Sequence, residues 1–110
     1  MTNLRYGKQV LKTYSLERHD LAKKEIEKLS PDLKRIFKKK VASILTNPHR
    51  PNSRLSGFKI PTYKIKSGSY RLVYEVHDHR VVITVLCVGL RARNKAYKLA
   101  RQRSSRDENG

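Results

Sequence analysis

Residues 63–76 read YKIKSGSYRLVYEV, and this stretch decides the fold. Apolar and polar residues alternate on both sides of Gly68-Ser69, the pattern of two half-buried strands joined by a tight turn. With Gly first in a two-residue loop, Ser67 pairs with Tyr70, Lys66 with Arg71, Ile65 with Leu72 and Lys64 with Val73. The run from Arg80 to Gly89 then supplies a third strand of an antiparallel meander. Taking Asp78-His79 as a second two-residue loop pairs Val76 with Val81, Tyr74 with Ile83, Leu72 with Val85 and Tyr70 with Cys87. Alternation sorts the side chains onto two faces. Ile65, Tyr70, Leu72, Tyr74, Val76, Val81, Ile83, Val85 and Cys87 form the core face. Lys64, Lys66, Arg71, Val73, Val82, Thr84 and Leu86 form the other.

Upstream of this meander the period changes to that of helices. Leu21, Ala22, Ile26 and Leu29 fall near one helical face within 19–29, and Leu33, Ile36, Phe37, Val41, Ile44 and Leu45 form a stripe within 31–45. Ser30-Pro31-Asp32 starts the second helix with an N-cap, a proline at the first position and an acid in the first turn, and Asn47-Pro48 stops it. So short a link predicts an antiparallel helical hairpin. Val10 to Leu16 alternates loosely as a first strand. Residues 47–62 hold three of the four prolines and read as a loop, with a short strand near Arg54-Leu55. Arg93 to Arg103 reads as a final helix. The expected architecture is α+β: an N-terminal strand and helical hairpin packed on a small antiparallel sheet, with a short C-terminal helix. Residues 1–9 read as an extension, 10–103 as one domain and 104–110 as a disordered polar tail.

The composition narrows the partners. The 110 residues carry 26 Lys plus Arg against 9 Asp plus Glu, a formal charge of +17. That is far beyond what solubility needs and points to a polyanion. Between Pro51 and Arg103 there are twelve Lys or Arg and two acids, Glu75 and Asp78, so the positive field belongs to the sheet and C-terminal half. The single cysteine, Cys87, excludes an internal disulfide framework and reads as a buried core thiol. The longest apolar run, 81–88, is too short to span a bilayer, and the N-terminus lacks an apolar signal core. The expectation is a soluble, cytoplasmic protein with no membrane partner.

Nothing in the sequence suggests a metal or cofactor site: there is no Cys/His cluster with metal spacing, no phosphate-cradling glycine loop and no nucleophile elbow. His19, His49, His77 and His79 lie at a helix start, in a loop and around a turn, and paired carboxylates are absent from the basic face. Lys64, Lys66 and Arg71 cluster there instead, with Lys66 and Arg71 directly opposed. Like charges so placed are destabilising, a cost that a phosphate-gripping site explains and a purely structural role does not. RNA brings its own nucleophile, the 2′-hydroxyl, so a protein need only position the reacting atoms and stabilise the phosphorane-like charge. A lysine among other cations approaches a usable general base. From the residues alone, a nucleic-acid binder and a metal-free ribonuclease both remain open.

Three stretches add to this reading: KLSPDLKRIFKKKVASILTNP at 28–48, YKIKSGSYRLVYEV at 63–76, and VVITVLCVGLRARNKAY at 81–97. With them the chain resembles the RelE branch of the RelE/ParE toxin superfamily over about residues 10–103. The resemblance implies the RelE-like, microbial-ribonuclease-like fold with a curved sheet, and a ribosome-dependent endoribonuclease that cuts mRNA in the decoding A site without a cofactor. Lys64 and Lys66 match the family's two active-site lysines, one acting as general base. Arg71 matches its transition-state arginine, Arg91 of VGLR the arginine that assists the leaving group, and Tyr97 the tyrosine that stacks on or orients the target nucleotide. Arg54, Arg93, Lys95 and Lys98 are expected RNA or ribosome contacts. The implied partners are the ribosome with its rRNA, mRNA and a small cognate antitoxin, with DNA met only through the antitoxin. The chain departs from relatives that read Leu-Arg-Gly where it has Leu55-Ser56-Gly57; Arg54 is the candidate substitute. The alternatives are a gyrase-inhibiting ParE-like toxin and a non-catalytic nucleic-acid-binding relative.

Overall fold

The computed structural model describes residues 12–105. Four strands, β1 (Ser15–Arg18), β2 (Thr62–Ser67), β3 (Tyr70–His77) and β4 (Val82–Leu90), form one sheet in the order β1-β4-β3-β2. Three helices accompany them: α1 (Asp20–Glu27), α2 (Pro31–Ile44) and α3 (Lys95–Arg103). The part of the expected first strand before residue 12 lies outside the described residues. The sheet is mixed rather than antiparallel, because β1 runs parallel to β4, with Ser15 opposite Val82 and Arg18 opposite Val85.

The local signals act as their chemistry requires. His19 Nδ1 accepts from the Leu21 N–H at 3.1 Å and caps α1. Ser30 Oγ accepts from the Leu33 N–H at 3.2 Å, Pro31 occupies the first turn of α2, and Asp32 meets the positive end of its dipole. In the β2–β3 hairpin the register is the one expected, from Ser67–Tyr70 through Lys66–Arg71 to Lys64–Val73. Gly68 adopts φ +58, which the first position of this turn demands and glycine meets without steric cost. Arg54 adds an isolated bridge to Tyr63 on the outer side of β2.

The β3–β4 register differs from the two-residue expectation. His77 pairs with Val82, Val76 with Ile83 and Tyr74 with Val85, so 78–81 is a four-residue connection. Val81 closes it at φ 55, a costly conformation for a β-branched residue, with its N–H on the Asp78 carbonyl. A bulge between Val73 and Tyr74 then shifts the ladder again, pairing Val73 with Cys87, Leu72 with Val88 and Tyr70 with Leu90. The extra residue lets Leu86 and Cys87 both turn to one face while Val85 and Val88 turn to the other, and it bends the sheet.

Two apolar layers result. Leu72, Tyr74, Val76, Ile83, Val85 and Val88 pack with Ala22, Leu29, Phe37, Val41 and Ile44 from α1 and α2. On the opposite face Val73, Leu86 and Cys87 pack under Ala96 and Ala100 of α3. Cys87, expected on the first face, therefore lies on the second, and the face expected to lie open is covered by α3. Leu21 and Ile36, assigned to the helical stripes, are exposed. Gly89 permits the close approach of α3: a Cβ there would stand 3.4 Å from the Ala96 Cα.

β1 covers only the first part of β4, and the exposed edge beyond it is capped by side chains. Glu25 of α1 accepts the Val88 N–H at 3.0 Å, while Arg103 of α3 donates to the Leu86 carbonyl at 2.9 Å. The two side chains also join each other by two hydrogen bonds, 2.9 and 2.8 Å. The pair thus closes a strand edge that would otherwise offer free backbone groups and ties α1 to α3 across it.

Candidate active site

The hairpin register sets Lys66 and Arg71 side by side across β2 and β3, and Arg71 pairs in turn with Gly89 of β4. Arg71 is only 8% exposed: its guanidinium folds over the turn and donates to the carbonyls of Gly68, at 2.9 Å, and Tyr70, at 2.8 Å. This fixes the cation without pairing it to a carboxylate among the described residues. Lys66 remains exposed, and Lys40 of α2 donates to its carbonyl at 2.7 Å. Lys64, half-buried, shares with Lys66, Lys40 and Arg50 a hollow of about 230 Å³ between α2 and β2. Arg50 is held there by the carbonyls of Asn47 and Ser43.

Arg91 follows β4, and its backbone N–H bonds the Ser69 carbonyl at 2.8 Å, pinning the start of the 91–94 turn to the β2–β3 hairpin tip. Arg93 and Asn94 then take consecutive left-handed conformations, which reverse the chain into α3. One turn into that helix, Tyr97 packs on the layer that holds Val73 and Cys87, which pair with each other; Lys64 is the Val73 partner on β2. Lys64, Lys66 and Arg71 thus share the hairpin and Arg91 begins the turn bonded to its tip, while Tyr97 packs on the layer that holds Val73, the β3 partner of Lys64. Arg93, Lys95 and Lys98 are exposed around the start of α3.

Arg54 lies elsewhere. Its guanidinium stands 5.9 Å from the Tyr63 ring centroid, and Tyr63 stacks on Tyr74 in the layer beneath α2. The vacancy implied by Ser56 opens instead on a cleft of about 380 Å³ shared with Phe58, Asn94, Tyr97 and Arg101.

Several other titratable groups are engaged in holding the fold. His49 bridges the Tyr63 hydroxyl at 2.6 Å and the Asp78 carboxylate at 2.9 Å, and the Tyr14 hydroxyl donates to Asp78 at 2.7 Å. Burial pushes the Asp78 carboxyl up, but hydrogen bonds from His49 and Tyr14 outweigh it and hold it below its ordinary value. The same bond to Asp78, with burial, raises the Tyr14 hydroxyl to about 12. His77 bonds Glu75 at 2.8 Å in the sheet interior. Ser104 and Ser105, assigned to a loose tail, fold back onto that Glu75 carboxylate. Cys87 is buried, and burial raises its thiol to about 12, far from a nucleophile. Sequence reasoning missed Lys40, Arg50 and Arg101. Only the spacing of Tyr97 and Arg101, four apart on one helix, signalled that they share a face.

A small basic α+β chain with this sheet order and cationic hairpin has recognisable relatives. A family model described as the ParE toxin of the type II toxin–antitoxin system, parDE, matches residues 16–95, and the chain belongs to this RelE/ParE family of toxins. The mRNA interferase toxin RelE of Escherichia coli (strain K12) is 39% identical over 92 residues, spanning 82% of this chain and 96% of the relative. A mutant of the E. coli toxin RelE in the free state superposes with a TM-score of 0.76 at 36% identity, covering 83% of this chain and 97% of the other. The intact E. coli RelBE toxin–antitoxin complex contains a chain that matches with a TM-score of 0.68 at 39% identity, covering 73% and 99%.

Proposed function

We propose that this chain is the toxin of a type II toxin–antitoxin pair, an mRNA endoribonuclease that works on the ribosome and so inhibits translation. The observation that carries the proposal is the Lys66–Arg71 pair, with Arg71 immobilised by two turn carbonyls and Arg91 anchored through its backbone to the same turn. A fixed cation that needs no reorganisation stabilises charge developing on a phosphoryl group.

In this mechanism Lys64 or Lys66 takes the proton of an RNA 2′-hydroxyl. The 2′-oxygen attacks the adjacent phosphorus, and Arg71 stabilises the charge on the phosphorane. The 5′-oxygen leaves with its developing charge stabilised by Arg91 and takes a proton from water, giving a 2′,3′-cyclic phosphate and a 5′-hydroxyl. Tyr97 orients the target nucleotide by stacking, and Arg93, Lys95 and Lys98 hold RNA or ribosome phosphates. The hairpin provides the charges, and the 2′-oxygen must still be aligned with the scissile bond. The ribosome supplies that alignment, and positioning of this kind is worth up to about 7–11 kcal/mol. A cognate antitoxin is the expected protein partner, in line with the complex formed by E. coli RelE.

The test is induced expression of the chain alone, with mapping of mRNA 5′ ends, followed by cleavage assays with and without ribosomes. Translation arrest with new 5′ ends inside coding regions, and cutting that depends on ribosomes, are expected. The family model is described by its ParE members, which keeps a DNA-directed reading in view. Arrest accompanied by DNA breaks and intact transcripts would establish that reading instead.

A further inference from the structure

Two arginines leave α3 near its end, and they are used differently. Arg103 is consumed: it is 8% exposed in its side chain, bonded twice to Glu25 and once to the Leu86 carbonyl. Arg101 has no carboxylate partner among the described residues. Its guanidinium sits 5.2 Å from the Phe58 ring centroid and makes one long bond, 3.4 Å, to the Gly57 carbonyl. The seat is shaped for it: Gly57 has φ +83, and a Cβ there would stand 3.0 Å from both terminal guanidinium nitrogens. Of the five N–H donors that a guanidinium carries, most are left for something else.

What they face is the cleft of about 380 Å³ that also holds Ser56, Asn94 and Tyr97. Tyr97 and Arg101 are four residues apart on α3, hence on one face and about 6 Å apart along its axis. An aromatic ring and an unpaired cation one turn apart suit a single nucleotide, base against ring and phosphate against guanidinium. Arg54 does not compete for this place, since it lies over Tyr63.

We propose that Arg101 is a phosphate-binding residue of the RNA site and delivers from α3 the positive charge that the 55–57 loop lacks at Ser56. This rests on the ribonuclease reading above and adds a residue to it. The ligand is a phosphodiester of single-stranded RNA, next to the nucleotide stacked on Tyr97. The competing role for Arg101 is a tether that merely holds the 55–58 loop to the helix.

The experiment compares the parent, Arg101→Ala and the double variant Ser56→Arg/Arg101→Ala. Single-turnover cleavage on programmed ribosomes should fall about 10- to 100-fold in Arg101→Ala, the range expected for one charge-assisted hydrogen-bonding group. The added arginine at position 56 should recover most of that loss, with melting temperatures alike across the three. Binding of a short single-stranded RNA by the free protein should lose about 0.7 from its log–log salt slope in Arg101→Ala, the value of one phosphate contact. Parental cleavage by Arg101→Ala overturns the proposal. So does a loss that follows a lowered melting temperature and is not recovered by Ser56→Arg, which identifies the tether. If the parent itself fails to cut on ribosomes, the ribonuclease reading falls, and the salt slope still judges Arg101 by itself: an unchanged slope eliminates the phosphate contact.

Discussion

Replacing Glu25 by alanine should loosen the molecule far more than its place on a short surface helix suggests. The carboxylate accepts two hydrogen bonds from Arg103 and one from the Val88 N–H, so its removal strands a guanidinium whose side chain is 8% exposed and frees a backbone donor. Breaking a fully buried pair from one side costs roughly 3–5 kcal/mol. Glu25 keeps 23% of its side-chain exposure, so water screens part of the interaction and the lower figure, about 3 kcal/mol, applies. In a domain of this size, that lowers the melting temperature by about 12–24 °C. Circular dichroism melts give the number, and hydrogen exchange locates it. Amides of α3 and the 86–88 edge should exchange faster while those of β2 and β3 stay protected. The double variant Glu25→Leu/Arg103→Leu should regain much of the loss, because removing both charges leaves none uncompensated. Cleavage by Glu25→Ala should also fall, since Tyr97 and Arg101 ride on α3. A melting temperature within about 3 °C of the parent, or a double variant less stable than the single one, would refute the reasoning.

Four further outcomes are expected. Arg71→Ala should lower single-turnover cleavage about 10²–10³-fold, the usual effect of deleting one transition-state donor, while costing only about 1 kcal/mol in a urea melt for its turn hydrogen bonds. Leu72→Ala, on the opposite face and 1% exposed, should cost about 2–5 kcal/mol in the same melt. Asp78 is held below its ordinary 3.8, so its network contributes stability above that pH that is lost as pH falls through the depressed value; Asp78→Asn should flatten the acid limb of a stability–pH curve. Gly57→Ala meets both a positive φ and the Arg101 guanidinium, whereas Gly68→Ala meets only the φ, so the first should melt lower and cut more slowly.

The β2–β3 hairpin was legible because its turn announces itself: glycine sits where the backbone must go left-handed, and alternation fixes the rest. The β3–β4 ladder was not, for two physical reasons. Asp78-His79 resembles a two-residue turn, but the chain takes four residues and places Val81 in a conformation that no propensity predicts. The bulge opposite Val73 then exchanges the faces of Cys87 and Val88, and a bulge leaves no trace in the alternation of a strand that is apolar on both sides. Val73, Val82 and Leu86, apolar residues that alternation puts on the second face, are the hint that something covers it. The pairing of Lys66 with Arg71 was legible because it depends on the hairpin alone. Contacts between distant segments, such as Glu25 with Arg103 or Arg101 with the Phe58 ring, are carried by no period and needed the fold.

The parallel pairing of β1 with β4 also orders events in time. A ribosome making this protein releases Ser15 long before its partner Val82 exists, so β1 waits without a neighbour until the last strand has been made. The Lys66–Arg71 hairpin is local and forms early, but the helix that brings Tyr97 and Arg101 is made after every strand, and its Arg103 anchor after that. Such long-range closure is intrinsically late. For a chain whose proposed target is the translating ribosome, the order has a use: the nascent protein carries its charges out of the ribosome that is making it before it carries a finished site.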